Sequence, residues 1–274
     1  MTEWSVWVAI AIGVLQGVVE WLPISSEGGV SIALTAMGVS PELAVQLSLF
    51  LHTGTGLAAL AYYRGEVAEI LRTLLGWDRR TDPFAAETET ATFLVIATAV
   101  SIAVAGAAYL TLLEAATELT GGAFIALIGG LLVLTGLLQR VAETAATDRT
   151  RRLGLLDPVL VGAGQGLAVL PGVSRSGTTA SVLLLRGHSG ERSFRLSFLL
   201  SIPAAFGGGL LAVLEAGGVP RVSVPLAGVA VLTSAVVGYA TIDLLMRVVR
   251  RLPFWQVCLG LGGLAIVGGV LVLP

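Results

Sequence analysis

Arg175 is the residue from which chemistry can first be read. It stands in Ser174-Arg175-Ser176-Gly177-Thr178-Thr179, inside a stretch (about 155–187) that is otherwise mostly apolar. A charge at a helix centre in lipid costs about 2.5–3.5 kcal/mol on insertion scales, so an intramembrane charge points to function by default. The run offers a guanidinium fork, four hydroxyls and a glycine that lets backbone N–H groups approach a ligand. A helix begins there, and its positive N-terminal end favours an anion. Arginine grips phosphate through two parallel hydrogen bonds. Ser174, Ser176, Gly177, Thr178 and Thr179 are therefore the expected phosphate-binding neighbours of Arg175. The alternative, a snorkelling or ion-paired arginine, leaves those neighbours unexplained.

A second interrupted stretch, about 5–37, supplies carboxylates. Gln16 and Glu20 are four residues apart and share one helical face. A buried Glu20 can hold a divalent cation or act as a base; alternatively it only pairs with Arg175. Ser25, Ser26, Glu27 and Gly28 then open another half-helix, where Glu27 either faces the ligand or caps the helix. The remaining polar residues read more simply: Asp243 as a helix-end residue, His52 as a packed, hydrogen-bonded histidine, and His188 as a loop residue. The chain contains no Walker loop, no HExxH and no Cys/His cluster.

The elements that must position these groups belong in a bilayer. The 274 residues are 55% apolar and only 12% charged, against about a quarter charged in soluble domains. A net charge of −2 gives no reason to expect nucleic acid, and the lone Cys258 excludes an internal disulfide. The N-terminus shows no basic region of the kind that opens a cleavable signal peptide. Six stretches (43–63, 91–113, 121–139, 196–214, 222–246 and 253–274) reach the length of about 20 residues that a crossing needs. The two others break at LPISSEGG (22–29) and LPGVSRSGTT (170–179). Such backbone is tolerated at membrane depth only where protein or a water-filled cavity surrounds it, which predicts two re-entrant helix–loop–helix hairpins. Gln16-Gly17, Leu22-Pro23 and Phe50-Leu51 recur as Gln165-Gly166, Leu170-Pro171 and Phe198-Leu199 at an offset of 148 or 149. The expected fold is thus a single all-α polytopic membrane domain, 1–274, built as an inverted repeat of about 1–140 and 153–274. Paired interruptions in matching positions of two halves point to the binding site.

This topology gathers Arg64, Arg72, Arg79, Arg80, Arg140, Arg149, Arg151, Arg152, Arg186, Arg192, Arg195, Arg247, Arg250 and Arg251 on one side and leaves Arg221 on the other. By the positive-inside rule the first side is cytoplasmic and both termini lie outside the plasma membrane. Trp4 and Trp7 suit the outer interface and Trp255 the inner one.

At this point the sequence resembles a known family. QGVVEWLPISS (16–26) is similar to the (E/Q)xxxE-x-LP-x-SS motif of undecaprenyl pyrophosphate phosphatases. PGVSRSGTT (171–179) matches that family's PGxSRSG-x-T motif, and Leu196–Ala204 reads like its FSFLLSIPA. The resemblance implies release of phosphate from a polyprenyl diphosphate, recycling the lipid carrier for cell-envelope sugars, with Mg²⁺ or Ca²⁺ as cofactor. Matched by motif, Gln16 and Glu20 fall on the acidic motif, Ser26 on its proposed nucleophile and Arg175 on the phosphate-binding arginine. One position departs. The family continues SS-(T/S)-(A/G)-H, with a histidine proposed to be catalytic, whereas this chain has Ser25-Ser26-Glu27-Gly28-Gly29. Glu27 is expected to cover part of the missing histidine's role.

The expected catalytic groups are therefore Glu20, Ser26 and Arg175, with Glu20 also the expected cation ligand and Ser25 and Gln16 beside the substrate. The expected partners are the membrane and a polyprenyl diphosphate lipid, and a homodimer is among the expected assemblies. The rival expectation is a transporter or flippase for a phosphorylated lipid or anion, because inverted repeats with broken helices are also transporter architecture.

Overall fold

In the computed structural model, the described residues are 5–78, 82–119, 121–145, 151–218, 223–249 and 252–272. They are helical throughout their ordered elements, with no strand among them. The order is α1 (Val6–Val19), α2 (Ser26–Ala36), α3 (Pro41–Tyr62), α4 (Arg64–Leu75), α5 (Glu89–Ala108), a π-helical turn (Tyr109–Leu113) running into α6 (Glu114–Thr117), α7 (Gly121–Ala145), α8 (Leu156–Leu167), α9 (Arg175–Leu185), α10 (Gly190–Glu215), α11 (Val224–Val249) and α12 (Phe254–Leu271). Six of these are long and apolar enough to cross a bilayer: α3, the continuous α5–α6 helix, α7, α10, α11 and α12. They coincide with the six stretches expected from hydropathy.

α1, α2, α8 and α9 have 14, 11, 12 and 11 residues. At 1.5 Å per residue they reach roughly 16–21 Å, short of the hydrocarbon thickness of about 30 Å. Pro23 and Pro171 stand in the breaks, where a proline disfavours helical backbone in the residue before it. None of these four helices is long enough to cross alone.

The burial pattern is inverted relative to a water-soluble protein. Gln16, Glu20, Glu27, Asp157 and many serines are buried, while Ile102, Leu110, Leu232 and Leu264 face outward. With lipid outside, helix association gains little from burying leucines and depends on close backbone approach. α1 meets α11 through Gly13 and Gly17, where an added Cβ would lie 2.6 Å from the Ala230 carbonyl oxygen and 2.9 Å from Gly238 N. α8 meets α5 in the same way through Gly162 and Gly166. α3 packs on α10 and α11, α7 on α12, and the inner pair α2 and α9 on α3, α7 and α10.

The helix order places Arg64, Arg72, Arg140, Arg151, Arg152, Arg186, Arg192, Arg195 and Arg247 at one end. There Arg192 binds Glu89 at 2.6 Å, Arg195 binds Glu66 at 2.7 Å and Arg186 binds the buried Asp157 at 2.7 Å. His188 lies in the α9–α10 loop, as expected, and is fully buried there beside Asp157, its Nε2 3.5 Å from Oδ2. Asp243 accepts the Tyr62 hydroxyl, and the Arg140 guanidinium lies 4.9 Å over the Trp255 ring. The sequence reading does not anticipate α4, an amphipathic helix with no buried residue that follows α3 at this end. Trp4, Arg79, Arg80, Arg149, Arg221, Arg250 and Arg251 lie outside the described residues.

Gly172, at the tip of the second break, has φ +102°, and an added Cβ would press on the Ile128 carbonyl and lie 2.9 Å from Leu131 Cβ. A side chain in such backbone costs about 1–3 kcal/mol, and 1 kcal/mol moves the midpoint of a domain of this size by roughly 2–4 °C. Gly172→Ala is therefore expected to lower the thermal midpoint in detergent by about 4–8 °C, followed by tryptophan fluorescence. An unchanged midpoint would show that the loop is not confined by α7.

Candidate active site

The two broken stretches meet tip to tip. α1 ends at Val19, and its C-cap residue Glu20 carries a carboxylate that turns toward the second loop. The chain then passes Pro23 and reverses at Ser25, whose φ of +63° is the one left-handed value among the described non-glycine residues. Strain of this kind persists only where surroundings over-determine it, and Ser25 has two such fixings. Its Oγ accepts from Gly28 N at 3.1 Å, capping α2, and from Gly172 N in the opposite loop, also at 3.1 Å. Ser174 caps α9 in the same way, accepting from Gly177 N at 3.2 Å. The N-termini of α2 and α9 are thereby both directed into one space.

α7 and α12 clasp the tips from behind. Gln139 Nε2 donates to the Pro23 carbonyl at 2.6 Å, and Cys258 Sγ lies 3.2 Å from the same oxygen. Thr135 Oγ1 accepts from Ser174 N at 3.3 Å and donates to the Gly172 carbonyl at 3.4 Å. Proline-rich turns leave carbonyls that no helix satisfies, and buried carbonyls without partners are costly. The two long helices meet that demand.

Between the tips lies a cavity of about 30 Å³, lined by Glu20, Ser25, Ser26, Glu27, His52, Ser174, Arg175 and Ser176, with Leu22, Ala168 and Val173 completing the wall. By the measure of about one water per 10–15 Å³ it has room for two or three waters, so a phosphoryl group requires side chains to yield. Arg175 Nη2 donates to Glu20 Oε1, and Arg175 Nη1 lies 3.5 Å from the Ser197 carbonyl. Glu20 Oε2 accepts from Gln16 Nε2 at 3.0 Å and from Ser26 Oγ at 2.7 Å, and lies 3.2 Å from His52 Nε2.

Arg175, Glu20, Ser26, Ser25, Glu27, Ser174 and Ser176 thus share one cavity, as their spacing predicts. Gln16 stands one layer back, holding Glu20. Thr178 and Thr179 are not in the cavity wall; Thr179 donates to the Arg175 carbonyl at 2.9 Å and pairs with Ser197 Oγ at 2.6 Å. Gly177 contributes its N–H to the cap. Glu27 does not cap α2, a role Ser25 fills; instead its Oε1 is buried without a hydrogen-bond partner. Glu20, expected to ligate a cation, has both oxygens engaged by protein groups. His52 is the member the sequence reading underweights. Its place on α3 gives no local sign of the site, and only the packing of α3 on α2 brings it there.

Comparison with known proteins follows the same lines. A family model described as "Bacitracin resistance protein BacA" matches residues 9–264. A protein of Haloarcula marismortui named undecaprenyl-diphosphatase is 55% identical over 266 residues, covering 97% of each chain. Proteins of the same name from Methanopyrus kandleri and Geobacter sulfurreducens are 38% and 37% identical, covering 97% and 89% of each chain.

Proposed function

The chain belongs to the bacitracin resistance protein BacA family, and from that premise we propose that it hydrolyses undecaprenyl diphosphate to the monophosphate and orthophosphate within the bilayer. The observation that carries the proposal is the convergence of the Arg175 guanidinium, the Ser26 hydroxyl and the N-termini of α2 and α9 on one buried cavity. Two helix N-termini and a guanidinium favour a phosphate anion, and a serine hydroxyl beside them can attack phosphorus. A prenyl chain remaining in lipid accounts for a membrane-embedded site acting on a charged headgroup. No feature of the site favours the transport alternative.

In this reading Arg175 leaves Glu20 for the terminal phosphoryl oxygens, where its planar fork orients the phosphorus toward Ser26 Oγ. The N–H groups at the starts of α2 and α9 and the serine hydroxyls of the cavity complete the cradle. Glu20, held by Gln16, keeps Ser26 aligned through the 2.7 Å contact. The charge count bears on the cofactor. Glu20 and Glu27 supply two carboxylates against one guanidinium, so an incoming diphosphate is repelled unless a cation intervenes. The residues fit such a cation at one point: Glu27 offers a buried oxygen with no other partner. Among the described residues no three His, Cys, Asp or Glu converge as a cage. Mg²⁺ commonly binds through one or two carboxylates plus substrate phosphates, so Glu27 would hold Mg²⁺ or Ca²⁺ against the diphosphate. When bound, the cation would neutralise charge on the phosphoryl oxygens.

The test is phosphate release by the purified protein from undecaprenyl diphosphate across a metal titration. Release that saturates with metal is expected; no release at any concentration of Mg²⁺ or Ca²⁺ overturns the proposal. In the same assay Arg175→Lys is expected to lose roughly ten- to a hundredfold in kcat/KM, as one hydrogen bond to a charged group is worth about 1.5–3 kcal/mol. Turnover at the parent rate would exclude a bidentate contact. Glu27→Ala is expected to raise the metal concentration at half-maximal activity by about tenfold or more, since few other oxygens are free to replace it. An unchanged metal requirement would remove Glu27 from the cation.

Both termini are proposed to lie outside, from the arginine bias. Cys258 is fully buried, so cysteines introduced at positions 2 and 150 can be read separately. An impermeant thiol reagent applied to intact cells is expected to label Thr2→Cys and to spare Thr150→Cys. The reverse pattern would invert the topology.

A further inference from the structure

The motif that this chain resembles carries a histidine where Gly29 stands. Gly29 lies within α2, and a Cβ built on it meets no atom within 4 Å. Yet a histidine does reach the serine, from a different helix. His52, about three turns into α3, has its Nδ1 2.8 Å from the Ser48 carbonyl, which fixes the ring with Nδ1–H donating. Nε2 then faces the cavity, 3.5 Å from Ser26 Oγ and 3.2 Å from Glu20 Oε2. The ring is partly open to the cavity, with 16% of the side chain exposed. The other histidine, His188, is fully buried beside Asp157 at the arginine-rich end.

We infer that His52, on α3, is the proton carrier of the reaction, a role that Gly29, on α2, has no side chain to fill. The inference rests on the phosphatase reading above. Two groups lie within reach of the Ser26 proton, and their existing partners decide between them. Glu20 is nearer and accepts the Ser26 hydroxyl without substrate, but its oxygens also accept from Arg175 and Gln16, which compete for the lone pairs a base would use. His52 Nε2 has only Ser26 and Glu20 before it. A contact of 3.5 Å is long for a hydrogen bond, as catalytic contacts without substrate often are. Glu20 is then the carboxylate placed to balance an imidazolium formed on His52 once Arg175 has turned to the substrate.

Ser26 Oγ forms a bond to the terminal phosphorus while its proton passes to His52 Nε2. The bond from that phosphorus to the bridging oxygen breaks, and the undecaprenyl monophosphate leaves with the electron pair. Water then attacks the phosphoserine: its oxygen bonds to phosphorus, the Ser26 Oγ–P bond breaks, and His52 returns a proton to Oγ. One proton of the water stays on orthophosphate, and the other leaves through His52 to solvent.

The experiment compares four proteins in the phosphate-release assay at saturating metal. Loss of a proton carrier typically costs 10²–10⁴-fold. His52→Gln, which keeps a nitrogen near the same place but cannot carry a proton, is expected to lose about a hundredfold or more in kcat with KM changed by less than about threefold. His52→Ala is expected to lose as much, and the double variant His52→Ala/Gly29→His to regain about tenfold or more, because a Cβ at position 29 meets no atom within 4 Å and the position lies one turn from Ser26. The unaltered protein gives an independent readout: diethyl pyrocarbonate is expected to abolish activity by acylating one histidine, with orthovanadate protecting and hydroxylamine restoring. A parent that releases no phosphate sinks the phosphatase reading, and His52 with it. A parent that turns over while His52→Gln keeps kcat within threefold overturns the role of His52 alone, and so does full activity after histidine acylation.

Discussion

The site turns on one buried ion pair, Arg175 with Glu20. The side chains are 15% and 3% exposed, in a protein whose outer surface is hydrocarbon-facing. Neither charge could stay there alone. Removing one partner of a buried pair typically costs 3–5 kcal/mol, because the other is left uncompensated. The pair joins residues 155 positions apart, so it is also a joint between the two broken segments. Yet its attraction cannot be credited wholly to stability, because two charges lose their hydration in forming it. A better account is that Glu20 holds the guanidinium extended and dry until a stronger anion arrives. Glu20 meets the guanidinium through Oε1 alone, so a phosphate would compete by offering two oxygens and more charge.

Around this pair the fold solves a backbone problem. Irregular loops at membrane depth expose N–H and C=O groups that lipid cannot satisfy. Here each loop tip is satisfied by the other tip or by α7 and α12: Ser25 Oγ takes Gly172 N–H, Gln139 reaches the Pro23 carbonyl, and Thr135 serves the second loop. The ends of α2 and α9 therefore keep N–H groups available for an anion without leaving the rest of the loops unsatisfied. Glycines on α1 and α8 bring the flanking helices close enough to seal the arrangement.

Much of this was legible in the sequence because lipid imposes strong local rules. Twenty-residue apolar runs, a lone arginine among hydroxyls and two proline-broken segments are signals that need no tertiary information. They marked the six long helices, the breaks, and the meeting of Glu20, Ser26 and Arg175. What stayed hidden depends on which helix faces which. Gln139 and Thr135 sit in an ordinary apolar span, and nothing local says that they face the loops. His52 reads as one polar residue on a helix with many small ones, and its register against Ser26 comes from the packing of α3 on α2. Thr178 and Thr179 mislead in the opposite direction: their type suits phosphate, but the helix turns them away from the cavity. α4 escaped notice because its amphipathic pattern lies between a span and a charged loop.

The Pro23 carbonyl has a bearing on how the molecule is made. Its partners are Gln139 and Cys258, 116 and 235 residues later in the chain. During synthesis the first turn enters the membrane long before either partner exists. Until α7 arrives, that turn must stay hydrated at the membrane surface or borrow water. Only after α12, the last helix, is inserted does the carbonyl acquire its full set of neighbours. Sequence order and assembly order therefore diverge: the segment translated first is the one completed last. A nascent chain halted before its final helix would carry every side chain named in the cavity, yet the turn that aims Glu20 would lack its outermost brace.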